Sequence, residues 1–307
     1  MTADFYLFDV DHGQSAVLHL PNGHWCIFDV GCTALFSPIA WISARERTLQ
    51  NALNPLASLL GAAHFRFLKA TVSHYHGDHI ADYQRLFQCS PEYLRTVDAD
   101  PEYLVDCMSS SNDESVPKIL DFAQRAKTGF GPMIIPPNYG EITIQELSLP
   151  VSYVRQLGGA AIDRVNNASI ITRINAYGNS ILLCGDMEKE AWDTIIGNPL
   201  LPNSTWRAFV SNVDVLVAPH HGHKSAFSVD LLNLSRPAVV LVSVVSRDPN
   251  VDSRYSQTPI RGIGIDGVDY KCITTRQKGH IKVTISPPQF IFGAGSRSWS
   301  FGDTALN

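Results

Sequence analysis

The apolar positions fall into short runs bounded by Gly, Pro, Asn and Asp, and their period changes along the chain. Phe5 to Val10 reads as a strand ending in the turn Asp11-His12-Gly13-Gln14-Ser15. Ala16 to Leu20 and Trp25 to Gly31 read as two further strands, with Asn22-Gly23 between them as a strong hairpin signal. Over residues 34–62 the period becomes helical. Leu49, Ala52, Leu53, Leu56, Leu59 and Leu60 recur at spacings of three and four, which predicts a core-facing stripe. Phe67 to Val72 is a short apolar run read as a buried strand, and Ile80 to Phe87 as the helix that follows. From about 90 to 140 the pattern is less regular. Ser109 to Asp113 reads as an exposed loop and helix start, Val116 to Ala126 as a helix, and Gly129 to Tyr139 as a Gly- and Pro-rich loop.

A second series of strands begins near Ile142 and continues through Ser169 to Ile174 and Ser180 to Asp186, the last two joined by the turn Tyr177-Gly178-Asn179. A helix over Glu188 to Ile196 follows. Val213 to Ala218 is the next strand and runs into Pro219-His220-His221-Gly222-His223, then a helix through about Leu234. Ala238 to Ser243 is a strand, Arg247 to Pro259 a polar loop, and Cys272 to Thr275 and His280 to Ile285 close the series as strands. Two runs of strands, each followed by helices, predict an α/β fold layered as a four-layer αββα sandwich. No linker and no short-period repeat interrupts it, so a single domain over residues 1–307 is expected.

Composition narrows the function. Hydrophobic content of 45% and charged content of 17% describe a folded chain. A net charge of -5 argues against a grip on duplex DNA through many phosphates. Affinity for nucleic acid would then come from bound metal and a local patch, for a short or small substrate, or with a partner protein that delivers it. The six cysteines are scattered without a CxxC pair and read as reduced thiols, neither a disulfide framework nor a zinc ribbon. No basic leader precedes Phe5, and no apolar run approaches the ~20 residues of a membrane span. A soluble, cytoplasmic protein without membrane insertion is expected.

The candidate chemistry lies in His74-Tyr75-His76-Gly77-Asp78-His79, directly after the buried run. His74 and His76 can reach one ion from a tight loop, and Asp78 and His79 a neighbouring one, the device that activates water against a phosphoryl or acyl centre. Asp186, at the end of Leu183-Cys184-Gly185-Asp186, and His220 end later strands. Of His220 and His221, His220 is favoured as the ligand because it directly ends its strand. Asp29, at a strand end before Gly31, is placed either to orient a ligating histidine or to cap a turn. Ser115 and Lys118 match an S-x-x-K spacing without any supporting partner, and no G-x-S-x-G elbow is present.

His74-x-His76-x-Asp78-His79 resembles the metal-binding motif of the metallo-β-lactamase superfamily, Asp29-Val30-Gly31 that family's first motif, Asp186 its bridging carboxylate and His220 its last metal histidine. Within it the chain resembles the C-terminal hydrolase domain of ComEC-type competence proteins and their stand-alone relatives. Phe8 to Ser15, Asn166-Asn167-Ala168-Ser169, Cys184-Gly185-Asp186, Pro219-His220-His221-Gly222 and the segment from Thr274 to Ile281 carry the resemblance. It implies a metal-dependent nuclease or phosphodiesterase. Asp11, His12 and Gln14 depart from the family's D-V-G-Q-G-D-S opening, which places His12 either near the site or in a plain turn. The resemblance further implies His74, His76 and Asp186 around one ion, and Asp78, His79, His220 and Asp186 around the other. Asn167 lies where the ComEC-like group has its asparagine, and the histidine completing the first site in true lactamases is missing. Two divalent ions are expected, Zn2+ before Mn2+, with a single ion also compatible with the shortened ligand set.

The expected mechanism is attack by a hydroxide held between the ions, with Asp78 and Asp186 organising them. His221, His223 or Lys224 would donate to the leaving oxygen or a phosphate, and Ser225, Asn167 and Ser169 would add hydrogen bonds. For Lys224 and Ser225 an ordinary helix start is the competing reading. Phosphodiester cleavage of single-stranded DNA, RNA or a nucleotide is the favoured activity. Hydrolysis of a carboxylic ester, lactone or thioester, and a binding module with a degenerate site, are the alternatives.

Overall fold

The first three hydrophobic runs pair as an antiparallel meander: β1 (Ala3–Leu7), β2 (Ala16–His19) and β3 (Trp25–Phe28), with Leu7 opposite Ala16 and Ala16 opposite Phe28. They appear in a computed structural model that describes residues 1–53, 65–130, 137–197, 203–245, 248–257, 259–265, 267–291 and 294–303. Beside β3 run the parallel strands β4 (Lys69–Thr71) and β5 (Leu94–Arg95). β14 (Ile281–Ile291) and β15 (Ala294–Asp303) add to the other edge, giving the order β15-β14-β1-β2-β3-β4-β5. The second sheet holds β6 (Ile142–Leu147), β7 (Ile171–Ala176), β8 (Asn179–Leu183), β9 (Val215–Val217), β10 (Val239–Val242) and β13 (Cys272–Thr274) in the order β13-β10-β9-β8-β7-β6. A small ribbon of β11 (Ile263–Ile265) and β12 (Val268–Tyr270) stands apart.

Side chains alternate across a strand, and here both faces are apolar because both are covered. Phe5, Leu7, Leu18, Cys26 and Phe28 of the first sheet form one buried cluster with Ile174, Ile181, Leu183, Val215, Val217 and Leu241 of the second, filling the space between the sheets. The alternate positions Tyr6, Val17, Trp25 and Ile27 join a second cluster with Ile39 and Ile42 of α1 (Pro38–Leu53). Trp41 of the same helix packs edge-on to Tyr6, ring centres 5.7 Å apart. On the second sheet, Leu182, Leu216 and Val240 share that outer cluster with Trp192 and Ile195 of α7 (Lys189–Gly197) and Leu231 of α9 (Val229–Ser235). The mixed α/β architecture of two large sheets with helices on their outer faces is therefore the one the pattern predicts. Leu56, Leu59 and Leu60 of the expected stripe lie outside the described residues.

Several helices escape the hydrophobic pattern. The loop expected from Ser109 starts two residues later, because α3 (Pro101–Ser110), which the pattern did not predict, ends at Ser110. Asp100 caps that helix by accepting a hydrogen bond from the Tyr103 N–H at 2.7 Å, with Pro101 in its first turn. α2 (Tyr83–Cys89), α4 (Val116–Gly129), α5 (Val151–Leu157), α6 (Ala161–Asn167), α8 (Asn203–Val210) and the short α10 (Thr275–Lys278) complete the set. Of these, α5, α6, α8 and α10 have no counterpart in the pattern, and α10 takes up Thr275, which the pattern gave to a strand. No helix among the described residues is long and apolar enough to cross a membrane.

Candidate metal centre

Parallel pairing brings the candidate residues to one edge. β3 and β4 run side by side with Phe28 opposite Thr71, so Asp29 and the stretch after Thr71 emerge together. β8 and β9 do the same with Leu183 opposite Val217, which delivers Asp186 beside the turn Pro219–Gly222. Backbone bonds tie the loops together: Ile170 N–H donates to Ser73 O across the two sheets, and within one sheet His220 N–H donates to Gly185 O and Val30 N–H to His79 O. Gly185, with φ +52°, has no room for a side chain, since a Cβ there would lie 2.8 Å from that of Ser169.

Two trios of potential ligands result, His74–His76–Asp186 and Asp78–His79–His221, each with its ligand atoms within 4.8 Å of one another. Asp186 stands between them. Its Oδ1 lies 3.2 Å from His79 Nε2, and its Oδ2 lies 3.7 Å from His74 Nε2 and 3.8 Å from His221 Nε2. His221 Nε2 is 3.2 Å from Asp78 Oδ2, and His74 Nε2 is 3.1 Å from His76 Nδ1.

Each of these four imidazoles spends its other nitrogen on the protein. His79 Nδ1 meets Asp29 Oδ2 at 2.9 Å, and His221 Nδ1 meets the Ser243 carbonyl at 3.1 Å. His74 Nδ1 lies 3.0 Å from Ser73 Oγ, and His76 Nε2 lies 3.0 Å from Ser110 Oγ, whose own proton goes to the Cys107 carbonyl. With its outward nitrogen donating in this way, each ring in its neutral form turns one lone pair inward, the arrangement that metal-ligating histidines require.

The charges fit the same reading. Burial disfavours a charged His79, but Asp186, Asp29 and Asp78 outweigh it and hold the ring well above its ordinary pKa. Burial, reinforced by His79, drives His74 well below, and burial lowers His76. Burial would raise Asp186, yet His79, His221, His74 and His220 together keep it well below the usual carboxylate range. His79 Nε2 and Asp186 Oδ1 are buried and face each other at 3.2 Å, but no aligned hydrogen bond joins them. A cation between them satisfies both, so the residues present fit a divalent metal.

The remaining expected residues divide into wall and rim. Asn167 and Ser169 are fully enclosed, where the sequence reading put them against substrate. Asn167 Oδ1 accepts the Glu188 N–H at 2.9 Å, and Ser169 Oγ accepts the Asp186 N–H at 3.1 Å. His220 differs from expectation as well. Its Nδ1 lies 2.8 Å from Glu188 Oε1, while His221, not His220, joins the Asp78–His79 trio. Burial opposes a charge on His220, but Asp186 and Glu188 raise it to about 9. His223, Lys224 and Ser225 line the outer side, with His223 Nδ1 2.7 Å from Ser225 Oγ. His12 stacks on His221 with ring centres 5.4 Å apart. Sequence reasoning missed Glu188, Ser73, Ser110, Asn166 and Ser243. Only Glu188, an acid two residues past Asp186, carried a signal that could have been followed.

No family model matches the chain, and no curated protein matches it. Solved structures similar to it include the metallo-β-lactamase fold protein YhfI from Bacillus subtilis, at 16% identity over 71% of this chain and 71% of that one, TM-score 0.34. Human tRNase Z, short form, is similar at 11% identity over 79% and 93%, TM-score 0.37. CmlA, a diiron β-hydroxylase from Streptomyces venezuelae, is similar at 13% identity over 78% and 44%, TM-score 0.39. What the chain has in common with the metallo-β-lactamase fold is a mixed α/β architecture of two large sheets and flanking helices.

Proposed function

We propose that the chain is a metal-dependent hydrolase of the metallo-β-lactamase type, acting on phosphodiester bonds of single-stranded nucleic acid or of a nucleotide. The observation that carries the metal dependence is the buried pair His79 Nε2 and Asp186 Oδ1, which face each other at 3.2 Å without an aligned hydrogen bond, set among imidazoles whose other nitrogens are already committed. His74, His76 and Asp186 would hold one divalent ion, and Asp78, His79, His221 and Asp186 the second. Zinc is favoured by the imidazole-rich set, and manganese is the alternative. Bound there, the ions supply acidified water and neutralise charge on phosphoryl oxygens.

The chain's own groups supply the rest. Asp186 sets Oδ1 by His79 and Oδ2 between His74 and His221, within reach of both trios. Asp29, Ser73, Ser110 and the Ser243 carbonyl keep the rings in one orientation, so little rearrangement is needed when charge develops. The burial of His74, His79 and Asp186 excludes bulk water from the inner side. Lys224, exposed at the rim beside His223 and Ser225, would attract and orient a phosphate. That cationic rim and the resemblance to ComEC-type domains favour a phosphodiester over a carboxylic ester.

The test is turnover of bis-p-nitrophenyl phosphate, a short single strand and a simple lactone by chelator-stripped protein resupplied with Zn2+ or Mn2+. Metal-dependent cleavage of the phosphodiesters is expected. Turnover of the lactone alone would move the chain to the ester class, and binding of metal without any turnover would mark a degenerate site.

A further inference from the structure

The His74–His76–Asp186 trio offers three donors, and a bound zinc takes its fourth from water or from a further side chain. We propose that His220 is the fourth donor of this trio and that Glu188 is its positioning residue, an inference that rests on the metal-dependent reading above.

The backbone makes the first point. In an extended segment, consecutive side chains face opposite ways. His220 (φ 48°, ψ 52°) and His221 (φ 53°, ψ 25°) instead adopt the left-handed conformation in succession, followed by Gly222 at φ +75°. Such backbone is rare for residues with a side chain and clusters at functional sites. Its consequence is that both rings face Asp186: His220 Nε2 lies 3.9 Å and His221 Nε2 3.8 Å from the same Oδ2. One turn thus serves two trios. His221 goes to Asp78, and His220 stands by the oxygen of Asp186 that also faces His74.

Glu188 makes the second point. Its Oε1 lies 2.8 Å from His220 Nδ1, so Nε2 is the nitrogen left for the centre. Glu188 is itself held in place. Asn166 Nδ2 donates to Oε1 at 2.8 Å, and the Glu188 N–H donates to Asn167 Oδ1 at 2.9 Å. This repeats the relation of Asp29 to His79, a carboxylate steadying a ligating imidazole from behind. The buried asparagines therefore act two steps from the ion: they fix Glu188, and Glu188 fixes His220. An ion taken up at Nε2 displaces the proton there to solvent.

The experiment uses the full chain stripped with chelator and titrated with Zn2+ against a chromogenic competitor, then with Co2+ to read the ligand-field absorption. Wild-type protein should take up both ions. His220→Ala should keep one and lose tight binding of the other, with a changed Co2+ spectrum. Glu188→Gln should bind both with the dissociation constant of one raised about ten- to hundredfold, and Glu188→Asp should recover part of that loss. Thermal melts of the metal-free variants should match wild type, and His220→Gln serves if the alanine variant folds poorly. Wild-type affinity for both ions and an unchanged Co2+ spectrum in His220→Ala and His220→Gln would overturn the proposal. Loss of phosphodiester turnover in that case would make His220 a substrate contact instead. Wild-type protein that binds no metal would instead overturn the metal-dependent reading itself, and this proposal with it.

Discussion

Asp29 Oδ2 lies 2.9 Å from His79 Nδ1, and the other oxygen of the same carboxylate accepts the Ser73 N–H at 2.7 Å. Asp29 reaches both from a left-handed backbone position, φ 58°, at the end of β3. One buried side chain therefore fixes a candidate ligand and the loop that carries it. Asp29→Ala should weaken metal binding about ten- to hundredfold through loss of ring orientation. It should also lower unfolding free energy by roughly 1–3 kcal/mol through the unpaired Ser73 amide. Chelator competition and urea titration of the metal-free protein read the two effects separately. Unchanged metal affinity would remove Asp29 from the centre.

This carboxylate was legible in the sequence as an acid at a strand end before Gly31, with two readings open, and its oxygen lies 2.9 Å from the His79 ring. The stretch from His74 to His79 was legible because four donors follow a buried run almost without a gap. Asp186 was visible in the same way, as an acid that ends the apolar run from Ser180. What the sequence could not convey depends on backbone hand and on depth. The left-handed pair His220-His221 turns both rings toward Asp186, which a choice of His220 as the residue that ends its strand could not foresee. Asn167 and Ser169 are polar residues that look outward on paper, yet they are spent on the Glu188 and Asp186 amides. Helices α5 and α6 are only seven residues each, too short for a helical period to declare itself.

Lys69 on β4 and Glu146 on β6 join the two sheets through a buried ion pair, 2.9 Å apart, their side chains 3% and 10% exposed. Thr71 donates a hydrogen bond to the same carboxylate. Breaking one partner leaves a buried charge alone, so Lys69→Met should cost about 3–5 kcal/mol in urea unfolding. Lys69→Met combined with Glu146→Gln should recover much of that loss, because neither charge then remains. A double variant as unstable as the single one would show that Lys69 acts through packing of its stem.

His280 Nδ1 accepts the Asp9 N–H at 2.9 Å and packs against Phe36 and Phe8. Burial lowers its pKa below the ordinary histidine value of 6.5. The unfolded chain therefore takes up this proton first, and stability present above about pH 6.5 is lost as pH falls through the lower folded value. A single proton limits the slope to about 1.4 kcal/mol per pH unit. His280→Asn keeps an acceptor without a titration, so the difference in urea stability between wild type and variant should change between pH 7.5 and pH 5. A pH-independent difference would assign that proton elsewhere.

Gly222 combines a positive φ of +75° with a closed wall, since a Cβ there would lie 2.9 Å from Val242 Cγ1. Its alanine variant meets two separate penalties, the left-handed backbone and the contact with β10. Gly222→Ala should destabilise the protein by roughly 1–3 kcal/mol. It should also weaken metal binding more than a remote variant of equal instability, because the turn that aims both histidines would shift. Adding Val242→Ala removes the contact and leaves the backbone penalty. The pair should then regain metal affinity only in part, as read by the same competitor titration. Full recovery would mean that crowding by Val242, and not the hand of the backbone, is what demands glycine at this turn.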